Sequence, residues 1–576
     1  QAPGDLVAQD LEVTVISGED KSLVGFRPEA PGKKEVPEPA KAAALPAEIN
    51  SNEQLFLTGL HLEQYRHATY DPRDYYLEAL RRDPDDSRCN NALGLWYLRR
   101  ANFDQAISYF ENAVSTLTRF NPNPIDGEPL YNLGIARLLS GNEEDAYNAF
   151  YKAVWNAAWM DSGYFQIARL ETKRGYWPQA LEAADLALAK NWKNQKIRLL
   201  KVAILRKMED KEKALDLIKE SLLLDPFSYG VLFEKYLLNQ EEDVLDKMKK
   251  LMRGNIHTYM EFALDYGYAG LWDEAIRFIQ TGIEGQGPGK VYPLAFYYKA
   301  WFEWKNGNTP LHAGDPLDSL RQASSASPDY CFPNQPEAVL ILEWARKFMP
   351  SAPKAPYYLG NFHYNSREYE IAIKCWEDSV TLDDQFPTAH RNLALAYFNK
   401  ENNTVKARLS LEKAFSLDRS DARIGMELDQ LCKRLNHHPE MRWAFLEENH
   451  PLVEKRDDLF LEKITLLNMK GMHEEAYRNI MSRKFHPWEG GEGKVSEQYV
   501  WSLTELAKKA IQSGNFPEAL SLLRQTRIFP ENLGEGKLAV IQENDVNYLL
   551  GIILDKMGDK EGATQYWLKA SEGLEE

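Results

Sequence analysis

The sequence predicts an all-α protein, an α-solenoid of about 10–12 helix–turn–helix repeats, with a short β-hairpin at its N-terminus. Three observations lead there. From Pro356 to Asp418, Leu359-Gly360, Ala372 and Trp376 are followed by Leu393-Ala394, Tyr397, Ala407, Leu411 and Ala414, so that Leu359 and Leu393 stand 34 residues apart and Ala372 and Ala407 stand 35 apart. Small residues recur where two helices approach closely, and large apolar ones recur a turn away on the same face. The template then fits about ten other places along the 576 residues, a length beyond what one compact core holds.

A period of about 34 residues built this way is the tetratricopeptide signature, a helical pair that buries its apolar face only against a neighbour. Taken in order, residues 1–27 are not helical. Leu11, Val13 and Val15 alternate with Glu12 and Thr14, and Ser17-Gly18-Glu19-Asp20 makes a turn before Leu23-Val24. That is a hairpin, marginal alone, and it reads as the end of a preceding all-β domain. Residues 28–50, with Pro28, Pro31, Pro37 and Pro39, read as an extended linker. A first solenoid segment is expected over 51–284. Its units are marked by Leu93-Gly94 with Phe110, by Leu133-Gly134 with Phe150, and by Ile167-Ala168 with Ala180. Residues 285–355 form an irregular repeat and boundary, because Gly285, Gly287, Gly289, Gly307, Pro310, Gly314 and Pro316 interrupt the pattern; helical pieces are expected at 292–305 and 317–326. A second segment over 356–576 closes the chain, its last unit carrying Leu550-Gly551, Ala563 and Trp567.

Composition narrows function by exclusion. A net charge of −17 lacks the basic footprint that nucleic-acid binding needs. No run of about 18 apolar residues is present to span a membrane. Cys89, Cys331, Cys375 and Cys432 lie far apart, without metal-ligand spacing, and read as free thiols at least half-buried. His437-His438 and His473-Glu474-Glu475-Ala476-Tyr477 lack the partners of a zinc site, and neither a nucleophile elbow nor a dinucleotide fingerprint occurs. No cofactor, metal or catalytic residue is therefore expected. The chain opens on Gln1-Ala2-Pro3 with neither a Met nor a signal peptide and stops at Glu576 without a polar capping helix, so it is expected to continue beyond both ends; a cytoplasmic location is expected, with a secretion signal in the missing N-terminal part as the alternative.

Two loops break the helical template in the same way. Gly-Glu-Gly-Lys occurs at 491–494, within His486-Pro487-Trp488-Glu489-Gly490-Gly491-Glu492-Gly493-Lys494, and again 43 residues later at 534–537. Neither is a phosphate loop: Trp488 and Glu531 stand where the first glycine belongs, and no Ser or Thr follows either lysine. Duplicated repeats needing the same long connection is one reading. A binding site formed by Trp488, Glu489, Glu492, Lys494, Glu535 and Lys537 is the other, with Glu489, Glu492 and Glu535 as candidate acids. If consecutive repeats bring the loops together, Lys494 or Lys537 is expected beside Glu535 or Glu492. On the inner helices Tyr357, Asn361, Tyr364, Arg391 and Asn392 are candidates for contacting a peptide. Asn361 and Asn392 sit where carboxylate-clamp tetratricopeptide domains place theirs, but Tyr357 stands where a lysine is expected, and such an Asn also braces adjacent repeats. Trp155, Trp159, Trp177 and Trp192 are expected to pack between repeats.

Longer strings carry a family resemblance. Asp5-Leu-Val-Ala-Gln-Asp-Leu-Glu-Val, Ser51-Asn-Glu-Gln-Leu-Phe-Leu-Thr-Gly-Leu-His-Leu-Glu-Gln-Tyr, Ala153-Val-Trp-Asn-Ala-Ala-Trp and His486-Pro-Trp-Glu-Gly-Gly-Glu-Gly-Lys resemble the C-terminal tetratricopeptide region of bacterial proteins whose N-terminal part is the domain of unknown function numbered 5107. That domain resembles a galactose-mutarotase-like β-supersandwich. The resemblance implies that residues 5–27 are its closing strands and that the helical chain is a non-catalytic scaffold attached to a carbohydrate-related β domain. The partner is then a protein, a peptide or that β domain, with carbohydrate reached through it. The alternative it implies is a carbohydrate-active or sugar-binding protein with a site at the paired loops.

Overall fold

A computed structural model describes residues 11–28, 38–39, 41–287, 289–307, 315–538 and 541–572. Residues 5–10 of the hairpin stretch, Pro31 and Pro37 of the linker, and Pro310 and Gly314 of the irregular stretch lie outside these. The described residues form thirty α-helices and one antiparallel hairpin, so the solenoid with a short N-terminal β-hairpin is the observed fold. The chain divides into two compact units, residues 1–93 and 94–576.

In the first unit, strands Val13–Ile16 and Ser22–Phe26 pair with Val13 opposite Phe26 and Val15 opposite Val24. Every residue of both strands is exposed, Val13 and Phe26 to more than 60%. Helices Asn52–Gln64 and Pro72–Arg82 then pack through Leu55, Gly59 and Leu62 against Tyr75, Tyr76 and Ala79. The approach to these helices is fastened rather than loose. Tyr75 Oη donates to Ala44 O at 3.0 Å, and Arg82 donates to Ile49 O at 2.6 Å and Pro46 O at 3.2 Å.

The second unit shows why the repeat has its spacing. A Cβ built on Gly94, Gly134, Gly360 or Gly551 would stand 2.3–2.5 Å from the ring of Phe110, Phe150, Trp376 or Trp567 respectively. The first helix of a repeat thus lacks a side chain where the second inserts an aromatic ring, which sets how closely the pair approaches. Of the four tryptophans near 155–192, Trp159 stacks on Tyr131 at 4.9 Å and Trp177 packs against the core, whereas Trp155 and Trp192 are half-exposed. Cys89, Cys331 and Cys375 are buried free thiols and Cys432 is half-buried.

Helices Pro293–Asn306 and Pro316–Ser325 occupy the irregular stretch. One contiguous core runs through it, from Ala146 by way of Leu294, Tyr297, Leu320 and Leu342 to Leu452. A separate cluster runs from Leu446 to Leu533 and another from Ala507 to Ile553.

Inner helices also meet across the stack. Arg169 of helix Met160–Arg174 pairs with Asp265 of helix Ile256–Tyr268, and Lys196 reaches the same carboxylate at 3.0 Å. Nearby, Arg206 pairs with the fully buried Glu234 at 2.6 Å and with Glu274 at 2.9 Å, Tyr266 Oη donates to Glu234 at 2.9 Å, and Lys207 joins Glu274 at 2.7 Å. Burial opposes ionisation of Glu274, but Arg206 and Lys207 outweigh it and hold its pKa below the ordinary 4.5. Charges this deep persist because each finds an opposite charge and hydrogen bonds.

Candidate functional site

The paired loops are stitched to each other by backbone. After helix His473–Met481, Phe485 is buried and its N–H donates to Asn532 O at 2.8 Å. The Asn532 side chain donates in return to Ile480 O at 2.9 Å and Arg483 O at 3.0 Å, two carbonyls at the end of that helix. Gly534 follows at φ +72°, with Phe485 O only 2.4 Å from where a Cβ would stand. Any other residue there would be strained twice over, by its backbone angle and by this contact.

The tightest link is Glu535. Its carboxylate accepts from the N–H of Gly493 at 2.7 Å and of Ser496 at 2.8 Å, at the start of helix Lys494–Gln512. Gly493, the residue before that helix, has φ +79° and no side chain with which to cap it. Glu535 supplies the cap from the other loop, where unpaired N–H groups and the helix dipole both favour an anion. The expected lysine contacts take other forms. Lys537 pairs with Glu543 at 3.1 Å, and Lys494 is exposed without a side-chain partner among the described residues. Fixed N–H donors at a bare helix end hold a half-buried carboxylate better than a solvated ammonium does.

Between the loops lies a hollow of about 450 Å³, walled by His486, Trp488, Glu489, Glu492, Leu533 and Leu538. Trp488 is half-buried over Gly491, where a Cβ would come 2.1 Å from its ring. Glu489 and Glu492 are exposed and make no ion pair among the described residues. His486 is held at the edge by Asp457, which accepts from its N–H at 2.9 Å and lies 3.0 Å from its Nδ1. Burial works against the Asp457 charge, but His486 and Arg483 prevail and lower its pKa. Lys537 separates this hollow from a second of about 270 Å³, lined by Trp501, Thr504 and Phe529. The sequence carried no signal for that second hollow, nor for Asn532 and Asp457, whose partners are backbone groups or lie on another repeat.

The inner-helix candidates are brought together, and mostly satisfied by one another. Asn392 Nδ2 donates to Asn361 Oδ1 at 3.2 Å, and Trp376 Nε1 donates to the same oxygen at 3.2 Å and to Tyr357 O at 3.1 Å. Arg391 is tied to both oxygens of Glu427. Tyr357 is buried against Phe386 with ring centroids 4.7 Å apart, and Tyr364 packs on Trp376 at 5.3 Å. The Asn392–Asn361, Arg391–Glu427 and Tyr357–Phe386 contacts join consecutive repeats, whereas those of Trp376 lie within one. Among the described residues, no group of three His, Cys, Asp or Glu is placed to hold a metal ion, and no helix is long and apolar enough to cross a membrane.

Residues 89–121 match the tetratricopeptide repeat family. The chain carries a tetratricopeptide region. Among solved structures, it is similar to YrrB, described as a tetratricopeptide protein with an unusual peptide-binding site, at 16% identity over 39% of this chain and 96% of that one, with a TM-score of 0.25. It is also similar to the Naa15/Naa10 complex bound to HypK-THB, at 13% identity over 90% of this chain and 93% of that one, TM-score 0.25. A third is MamA from Desulfovibrio magneticus RS-1, at 18% identity over 35% of this chain and 97% of that one, TM-score 0.21.

Proposed function

We propose that this chain is a non-catalytic scaffold for protein–protein or interdomain interaction, and that the face bearing the paired loops is where a second folded domain docks. The observation that carries the reading is the mutual fastening of the loops through Glu535 and Asn532. It holds Trp488, Glu489 and Glu492 around one hollow and leaves both carboxylates without an ion pair among the described residues. A prearranged aromatic with unspent polar groups beside it is what a docking partner needs. The occupant implied by the resemblance is the mutarotase-like, carbohydrate-related β domain. The fully exposed apolar hairpin supports it, because a two-stranded ribbon gains stability only as part of a larger sheet.

The test is to mix the separately expressed β domain with this chain and follow association by sedimentation. Binding weakened by Trp488→Ala is the expected result. No association at high micromolar concentration removes docking. A second reading, sugar binding at the loops, is favoured by Trp488 standing beside the exposed Glu489 and Glu492. Glycan-array binding by this chain alone, lost in Glu492→Gln, would replace the first reading with the second.

A further inference from the structure

The second hollow beside the loops, divided from the first by Lys537, has a wall built from one stripe of helix Lys494–Gln512. Glu497, Trp501, Thr504 and Lys508 recur there at helical spacing and share a face. Phe529 and Asp545, the latter in the first turn of helix Asn544–Lys556, close it from neighbouring segments. Together the walls of the two hollows carry seven carboxylates against two ammoniums. Both ammoniums are engaged, Lys508 by Glu505 at 2.6 Å and Lys537 by Glu543 at 3.1 Å. Arg527 adds to Glu543 at 3.6 Å, and Glu535 is occupied in capping the helix. Four carboxylates are left. Glu489, Glu492 and Glu497 are exposed without an ion pair among the described residues, and Asp545 accepts from the N–H of Val546 at 2.8 Å with no cation beside it. His486 is held by Asp457, and Lys494 lies outside both walls. Thr504 adds an observation of another kind: it is 4% exposed, and its Oγ1 has no hydrogen-bond partner among the described residues. A buried hydroxyl left unpaired in the wall is an independent sign that the hollow takes a hydrogen-bonding guest.

We propose that the partner docking on this face presents a basic segment, with one cationic side chain against Trp501 in the second hollow and another beside Trp488 in the first. Charge complementarity selects the sign. The unspent groups of both walls are carboxylates, and neither wall offers a free ammonium to an acidic partner. Each hollow also sets an aromatic ring beside those carboxylates. Glu497 stands one helical turn before Trp501, so a guanidinium over the indole face has a carboxylate next to it on the same helix. The proposal rests on the docking reading and names the chemistry of the partner's contact surface.

Titrating the whole chain with N-acetyl-Arg-Ala-Arg-amide, its citrulline counterpart and its glutamate counterpart by saturation-transfer NMR tests it. Citrulline keeps the shape of arginine and removes the charge. The arginine probe should bind about tenfold more tightly than the citrulline probe, the scale of one cation–π contact with one exposed ion pair, and the glutamate probe more weakly than either. Glu492→Gln with Glu497→Gln, one exposed acid from each hollow, should reduce the preference to about twofold with the melting temperature unchanged. Glu182→Gln with Asp216→Asn removes the same charge from helices Trp177–Lys190 and Lys211–Leu224, which line neither hollow, and should leave the preference intact. Equal binding of the arginine and citrulline probes, or a preference that the two double variants reduce alike, would overturn the proposal. Docking of the β domain unaltered by Glu492→Gln with Glu497→Gln would remove the basic contact and leave docking standing. An arginine preference lost only in that variant, without association of the β domain, would remove that domain as the occupant and leave the basic segment standing.

Discussion

Glu535 and Glu492 occupy the same place in the repeated loop motif, yet their surroundings assign them different work. Glu535 accepts two backbone N–H groups at a helix start, whereas Glu492 is exposed. Glu535→Gln keeps the shape but removes the charge, and should cost about 1–2 kcal/mol of stability, as loss of a helix cap does. Glu492→Gln should lie within about 0.5 kcal/mol of wild type. Urea denaturation of the two variants side by side checks this, and equal effects would refute the capping role. The residue scale is also where the sequence was hardest to read. The Leu-Gly pairs announced where helices approach, because a missing side chain shows in the letters. Glu535 carried no such signal, since its partners are N–H groups that every residue possesses. Asn392 was readable as a brace because an Asn at that inner-helix position commonly joins adjacent repeats.

At the scale of elements, the ion cluster around Arg206 ties four helices together. Removing one partner strands another, so Arg206→Met leaves the fully buried Glu234 without a cation and Glu274 with Lys207 alone, and should destabilise by about 3–5 kcal/mol. The pH dependence follows from Glu274. Its folded pKa lies below its unfolded value, so its stabilisation is fully present above pH 4.5 and is lost as pH falls through the folded pKa. Melting temperature should therefore drop below pH 4.5, and Glu274→Gln should flatten that part of the profile. A profile unaltered by the substitution would rule the cluster out as its source. Helix positions in the irregular stretch were legible from apolar spacing: pieces expected at 292–305 and 317–326 are helices Pro293–Asn306 and Pro316–Ser325. The continuous core beneath them was not legible, because it depends on which helices meet in space.

For the whole chain, we propose that the Gly- and Pro-rich connection within 285–336 is the most cleavable place beyond the N-terminal linker, since glycine and proline weaken local helix. Limited proteolysis should cut first within 285–336. First cuts near Leu446, where one buried cluster gives way to the next, would place the weak point there instead. Contacts between distant repeats have a further, mechanical consequence. A stack held only by nearest neighbours behaves as a row of springs, each yielding independently. Arg169 and Asp265, joined across 96 positions, and Arg100, whose guanidinium donates to Ser366 O across 266, act as cross-ties between coils. A pull on the second unit would load these few polar links before it reached the apolar seams between adjacent helices.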